Sequence, residues 1–172
     1  KGPLPNPGGS TGHASNFIYP VDHSKVMTQI TVDSMEQYKE LGVYRECGGL
    51  ELASTEERQA EMGRRQASAK AWGLPAPLIS PTKKKNHFPW IDTRIIKGAF
   101  WSPQVPAVDS LRAGTIMRED AQSRGALSVF PNTEVQDITV KNGRVHSVVT
   151  DRGEITADYV VIACGVWSPR IA

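Results

Sequence analysis

Asp158-Tyr159-Val160-Val161-Ile162-Ala163-Cys164-Gly165 is the stretch of sequence that decides the predicted fold class. It is almost wholly apolar and ends in glycine, a pattern typical of a strand buried on both faces of a parallel sheet. Strands of that kind present ligand-contacting residues at their carboxyl ends. Because helical and extended patterns share the rest of the chain, the sequence predicts a mixed α/β architecture.

A helical pattern covers residues 22–41, and Gly42 is a natural stop for it. Its apolar residues recur at helical spacing along one side of the predicted helix. We interpret this stripe as a packing face, and it consists of Val26, Met27, Ile30, Ser34, Tyr38 and Leu41.

Two more helices are expected further along the chain. One covers roughly residues 55–72, with Ser54 at its start and Glu57 as the capping-box partner, and Gly73 and Pro75 end it. The other covers residues 108–125, and Asp109 is better explained as its cap than as a catalytic base.

Extended segments are predicted at residues 43–53, 95–101 and 126–130. Gly48-Gly49 interrupts the first of them, which indicates a bulge or the close approach of another group. Residues 133–140 and 144–150 are joined through Asn142-Gly143, and Asn-Gly between apolar-rich strands is the strongest short hairpin signal.

Composition describes an ordinary soluble globular chain of 172 residues, with 39% hydrophobic and 22% charged residues. A net charge of +2 does not indicate the strongly basic surface that is typical of nucleic-acid-binding domains. No apolar run approaches the roughly 20 residues that span a bilayer. The start lacks a signal-peptide core, so we expect a cytoplasmic protein, or a mitochondrial matrix protein in a eukaryote. Cys47 and Cys164 are expected to be reduced core thiols.

The sequence lacks the motifs of several enzyme classes. It has no P-loop, no paired-histidine zinc motif and no GxSxG elbow. The four histidines are scattered and are not paired with cysteines, so no metal site is expected. His146 is predicted to face solvent and His23 to be structural. Ser80-Pro81 has the form of a helix start, and the lysines at 83–85 are read as a solvated face.

Candidate chemistry is concentrated in Pro7-Gly8-Gly9-Ser10-Thr11-Gly12-His13-Ala14-Ser15. Glycines let a ligand approach the main chain, and the amides and hydroxyls of such a loop can form an anion site. His13 stands among small residues that leave its ring reachable. On its own this pattern indicates a loop able to hold a phosphate.

Together with Ala163-Cys164-Gly165-Val166-Trp167, the loop resembles the flavin-dependent amine-oxidising family that includes D-amino acid oxidase. The branch it is most similar to contains dimethylglycine oxidase and dehydrogenase and sarcosine dehydrogenase. Further stretches resemble the family in the same order along the chain, namely residues 48–53, 78–81, 88–92, 98–100 and 125–138.

The resemblance implies FAD as cofactor, with His13 joined covalently to the isoalloxazine ring and the backbone of Val135 against the adenine. The implied cofactor-binding residues are Ser10, Thr11, Gly12, His13, Phe17, Val135, Ala163, Cys164 and Gly165. The implied activity is oxidative demethylation of a small secondary or tertiary amine such as dimethylglycine or sarcosine. Oxygen or an electron-transfer flavoprotein would reoxidise the flavin. No catalytic residue is assigned.

The family's architecture would divide the chain into a segment of a Rossmann-like FAD domain at 1–42, a substrate-domain segment with antiparallel sheet at 43–107, and a return to the FAD domain at 108–172. The GxGxxG fingerprint is absent, so the chain is expected to be an internal fragment. Asn16 replaces a usual glycine and Phe17 a usual aliphatic residue.

Two alternatives stay open at this point. A noncatalytic α/β binding module, or a degenerate remnant of the family, would explain the incomplete site. Phosphate or nucleic-acid binding through Lys83, Lys84 and Lys85 is the weaker alternative.

Overall fold

A computed structural model describes residues 9–79 and 88–171. The chain divides into two compact units. Ser15–Ala113 forms one of them, and the segment ending at Ala14 together with the chain from Gly114 onward forms the other. Both units combine helices with antiparallel sheets, which confirms the predicted mixed α/β class.

In the unit Ser15–Ala113 the two predicted helices are present. Helix α1 is Lys25–Glu40, and Ser24 Oγ accepts a hydrogen bond from the Met27 amide at 3.5 Å. Gly42 follows with a φ of 69° and ends the helix. The buried residues of α1 are Thr28 and Met35, so the predicted packing stripe is wrong. Three of its apolar members are exposed: Val26 at 62%, Met27 at 48% and Ile30 at 53%.

Helix α2 is Glu56–Ala71. Its cap is Thr55, whose Oγ1 accepts from the Arg58 amide at 3.2 Å, rather than the predicted Ser54. Both residues can cap a helix, and the sequence offers them side by side. Gly73 has a φ of 78° and ends α2 as expected.

Two antiparallel sheets complete this unit. Strand β1 (Tyr44–Glu46) pairs with β5 (Pro106–Val108). The second sheet has the order β2–β4–β3, made of Gly49–Ala53, Gly98–Ser102 and Leu78–Ile79. The predicted single segment at 43–53 is thus two strands of different sheets. The close approach predicted at the glycine pair is present, since a Cβ on Gly49 would lie 2.8 Å from Val105.

The core of this unit lies where α2 covers the β2–β4–β3 sheet. Phe100 on β4 and Met62 on α2 are each 0% exposed. Phe100 lies opposite Glu51 in the ladder, so both side chains point to the α2 face. The remaining buried members of this cluster are Val21, Ala53, Ala69 and Ala76.

Helix α3 is Ser110–Ser123, and the boundary between the two units falls within it. Asp109 Oδ1 accepts from the Arg112 amide at 2.9 Å, which confirms its capping role. Three antiparallel strands follow as a meander, and they are β6 (Val135–Lys141), β7 (Arg144–Thr150) and β8 (Gly153–Thr156). The predicted hairpin is confirmed.

The predicted buried strand at 158–165 is wrong. Residues 158–164 have no regular structure, and Tyr159 is 91% and Val161 87% exposed. A parallel strand takes its hydrogen bonds from flanking strands. Every strand pair within the described residues is antiparallel, and this run has no neighbour there to pair with.

Smaller differences concern local positions. The predicted strand at 126–130 is irregular, and Phe130 is 60% exposed. Both cysteines are free thiols, as expected, but they are exposed rather than in a core. His146 is half-buried. The predicted helix start at residues 80–81 and the lysines at 83–85 lie outside the described residues. Within the described ranges, no helix is both long and apolar enough to cross a membrane.

Candidate functional site

The predicted flavin loop forms a short 3₁₀ helix at Ser10–His13. The Gly12 amide donates to the Gly9 carbonyl at 3.2 Å and closes its turn. All four residues are exposed. The hydroxyls of Ser10 and Thr11 and the imidazole of His13 are therefore placed at the surface, where a ligand can reach them.

The chain that leaves this loop is attached to strand β5. Asn16 has a φ of 65°, a left-handed conformation that glycine and asparagine adopt more readily than other residues. Its carbonyl accepts from the Val108 amide at 2.8 Å. Phe17 forms a bridge with Ala107 and is 52% exposed. Asparagine in place of the usual glycine thus keeps the backbone conformation that the position requires.

The other predicted contact segment ends in a second 3₁₀ helix, Gly165–Arg170. Gly165 has a φ of 55°, and the Trp167 amide donates to the Cys164 carbonyl at 3.1 Å. Ala163, Cys164 and Gly165 are all exposed. The sequence predicted the end of a buried strand at this position, and the structure has an exposed turn there instead.

Val135 is the first residue of β6, opposite Thr150 of β7, and it is 39% exposed. It belongs to the same compact unit as the residues at 10–13 and 163–165, whereas Phe17 belongs to the unit Ser15–Ala113. All nine predicted cofactor-binding residues are exposed. They are consequently available to a ligand rather than committed to the core.

A partly buried ionic cluster escaped the sequence analysis. Glu51 Oε2 accepts from Arg58 and from Arg65, each at 2.8 Å. Arg65 also donates to the Val21 carbonyl at 3.0 Å, and its guanidinium lies 5.0 Å from the centroid of the Phe100 ring. Glu51 is a charged residue on an otherwise apolar strand, and that was the signal that could have located the cluster.

Tyr19 lies beside this cluster. A Cβ added to Gly49 would lie 2.8 Å from the Tyr19 ring, so the ring packs directly on the strand backbone. Burial raises the pKa of the Tyr19 phenol, and the nearby Glu51 carboxylate raises it further. The neutral phenol and the Glu51–Arg65 pair fix the start of β2 against the chain that leaves the flavin loop.

A cavity of about 230 Å³ lies beside the meander. Val129, Phe130 and Ile155 give it apolar walls, and Arg152 and Glu154 contribute charge. None of the nine predicted cofactor-binding residues lines this cavity. Sequence patterns gave no reason to expect it, because its walls combine a loop at residues 129–133 with the end of β7, the following turn and β8.

Residues 2–172 match the family model described as "FAD dependent oxidoreductase", of the DAO type. This match covers nearly the whole chain, and the chain belongs to this family.

Several curated proteins are similar to the chain. Mouse mitochondrial sarcosine dehydrogenase is 28% identical over 95% of the chain, and 4-methylaminobutanoate oxidase of Paenarthrobacter nicotinovorans is 24% identical over 95%. The mitochondrial pyruvate dehydrogenase phosphatase regulatory subunit of the mouse is 27% identical over 93%. The chain spans about a fifth of the length of these relatives, from 19% to 21%.

Two solved enzyme structures share the fold. L-proline dehydrogenase from P. horikoshii superposes with a TM-score of 0.86 at 26% identity, covering 95% of this chain and 45% of that one. Glycine oxidase from Bacillus cereus superposes with a TM-score of 0.72 at 22% identity, covering 94% of this chain and 48% of that one. Together with the family match, these similarities confirm the predicted relation to Rossmann-like FAD enzymes.

Proposed function

We propose that the protein to which this chain belongs is an FAD-dependent oxidoreductase that oxidatively demethylates a small secondary or tertiary amine, such as sarcosine or dimethylglycine. The observation that carries the proposal is the exposed Ser10–His13 turn, whose exit is fixed by the left-handed Asn16. Two of the similar proteins bear names that specify methylated amine substrates, sarcosine and 4-methylaminobutanoate.

The residues of the turn fit a flavin. Ser10 and Thr11 carry hydroxyls, and the His13 ring is exposed in a loop that contains no charged side chain. A neutral imidazole nitrogen is a nucleophile, so His13 is the residue that would hold the isoalloxazine ring covalently. Asn16 supports this role by keeping the loop exit in the geometry that glycine would give.

The other proposed contacts lie further along the chain. The backbone of Val135 would meet the adenine, and Ala163, Cys164 and Gly165 would lie beside the flavin, where an exposed turn with small residues lets a ring approach the main chain. Phe17 is the remaining proposed cofactor-binding residue. We further propose that residues 1–42 and 108–172 belong to the FAD domain and residues 43–107 to the substrate domain.

When bound, FAD would supply the redox chemistry, as the acceptor of a hydride from the N-methyl group of the amine. This chain's own residues hold and orient the cofactor. Oxygen or an electron-transfer flavoprotein would be the electron acceptor, and no nucleic-acid or membrane partner is proposed. Since two of the similar proteins are mitochondrial, we propose the matrix in a eukaryote and the cytoplasm otherwise.

The experiment uses the full-length protein and its His13→Ala variant. After denaturation and proteolysis, flavin fluorescence should remain on the peptide that contains His13, and the variant should release all its flavin. Turnover of sarcosine and dimethylglycine is then followed with an artificial electron acceptor, with glycine as the unmethylated control. Flavin lost from the wild-type polypeptide contradicts the covalent role, and equal turnover of glycine contradicts the substrate class.

A second candidate function is noncatalytic, and the similarity to a phosphatase regulatory subunit favours it. In that case the flavin fold would serve as a binding module. The full-length protein would then bind a partner protein and oxidise none of the amines, whether or not it carries flavin. Measurable turnover of a methylated amine that depends on flavin would exclude this candidate.

A further inference from the structure

We propose that Asn142 is a site of spontaneous deamidation, with the backbone nitrogen of Gly143 as the attacking group. The sequence has five asparagines, at positions 6, 16, 86, 132 and 142, and only Asn142 precedes a glycine. Glycine has no Cβ, so its amide nitrogen approaches the preceding side chain with less steric hindrance than that of any other residue.

The structure supplies a matched comparison inside one molecule. Asn16, Asn132 and Asn142 are all exposed and all left-handed, with φ values of 65°, 52° and 53°. They differ in the residue that follows, which is Phe17, Thr133 and Gly143 respectively. Exposure and φ are thus matched at the three sites, whereas the following residue differs.

The chemistry needs only water. The Gly143 nitrogen bonds to the Asn142 side-chain carbonyl carbon, the bond from that carbon to Nδ2 breaks, and ammonia leaves with the amide proton. Water then opens the resulting five-membered imide ring at one of its two carbonyls. One opening gives aspartate, and the other gives isoaspartate, with the main chain running through Cβ. No atom is oxidised or reduced.

The position of Asn142 makes the ring closure accessible. It lies at the tip of the β6–β7 hairpin, and Lys141, Asn142, Gly143 and Arg144 are all exposed. Ring closure requires the turn to leave its native backbone conformation. Exposed hairpin tips open locally at low free energy, so the reactive geometry is reached without global unfolding.

The reaction has a structural consequence. Isoaspartate adds one main-chain atom to a two-residue turn, which displaces the pairing of Lys141 with Arg144. Either product places a negative charge between these two cations. Strand pairing in the meander would therefore be lost first at the hairpin tip, while β6 stays paired near Val135.

The test is peptide mapping of the folded full-length protein during incubation at mildly alkaline pH. Asn142 should deamidate faster than Asn16 and Asn132 by roughly tenfold or more, equivalent to a barrier lower by about 1.4 kcal/mol. Products are identified by mass and by the separation of aspartate and isoaspartate peptides. Equal rates at the three asparagines in the folded protein overturn the proposal. It is also overturned if Asn142 deamidates only when the protein is unfolded in urea.

The variant Thr133→Gly is the matched control, since it places a glycine after the left-handed, exposed Asn132. Its Asn132 should react at a rate comparable to that of Asn142. A rate unchanged from the wild type would show that the following glycine does not determine the site. The comparison among the wild-type asparagines stands by itself if this variant does not fold.

Discussion

The two three-stranded sheets within the described residues share antiparallel pairing but differ in what they bury. In β2–β4–β3 the buried residues are mainly apolar, and Phe100 is 0% exposed beneath α2. In β6–β7–β8 the buried residues are the hydroxyl-bearing Ser147 and Thr150. Val140 of the same meander is 61% exposed.

This difference separates two ways of stabilising a sheet. The β2–β4–β3 sheet depends on contacts with helix α2, so its stability comes from burial of apolar area. The meander depends on short turns and hydrogen bonds between neighbouring strands. Substitutions at corresponding positions in the two sheets should therefore have unequal effects on the free energy of unfolding.

The largest difference is expected for apolar truncation. Phe100→Ala should lower the free energy of unfolding by roughly 3–5 kcal/mol, because it leaves a cavity under α2. Ile155→Ala in the meander should cost about 1 kcal/mol, because Ile155 is already 38% exposed. Urea unfolding of both variants measures the difference, and equal losses would remove the distinction between the sheets.

Loss of a carboxylate should have the next largest effect. Glu51→Gln leaves the Arg65 guanidinium buried without its anion and should cost roughly 3 kcal/mol. Glu154→Gln in the meander should have little effect, because Glu154 is exposed and an amide oxygen still accepts from Ser147. Urea unfolding again gives both values. If Glu51→Gln leaves the free energy of unfolding unchanged, water rather than Glu51 compensates the charge of Arg65.

Gly48 and Gly143 form the third pair, because both have a φ of 73°. A Cβ on Gly48 would lie 2.4 Å from the Trp101 ring, whereas one on Gly143 meets nothing within 4 Å. Gly143→Ala should cost about 1 kcal/mol from backbone strain, and Gly48→Ala roughly 2 kcal/mol or more. Thermal unfolding distinguishes them, and equal costs would exclude a steric contribution from Trp101.

The smallest effects are expected for two serines. Ser147 is 0% exposed, donates to Glu154 and hydrogen-bonds with Thr139, so Ser147→Ala should cost about 1 kcal/mol. Ser102 is 1% exposed, and within the described residues its Oγ has no hydrogen-bond partner. Ser102→Ala should be neutral or stabilising. Destabilisation by Ser102→Ala, measured by thermal unfolding, would indicate a partner such as buried water.

Local signals predicted much of the secondary structure. The ends of α1 and α2 at Gly42 and Gly73, the Asp109 cap and the hairpin at Asn142-Gly143 were correct, because each depends on a few adjacent residues. The exposure of the predicted cofactor-binding residues agrees with their proposed role. Their contacts with FAD remain a prediction.

Signals that depend on distant partners were less reliable. The apolar side of α1 was expected to pack, yet Thr28 and Met35 are the residues it buries. The Glu51–Arg65 pair was missed, because its partners lie 14 residues apart and meet only when α2 covers the sheet. Periodicity gives the faces of a helix but does not state which face a neighbour covers.

The stretch at 158–165 marks the limit of sequence-based prediction most clearly. Its composition determined that it can form a buried strand, and together with the loop at Ser10–His13 it indicated the flavin family. Whether it pairs was decided by tertiary structure, since a strand's hydrogen bonds come from its neighbours. The sequence by itself determined turns, caps and family motifs, whereas burial and pairing were decided by long-range contacts that no local pattern contains.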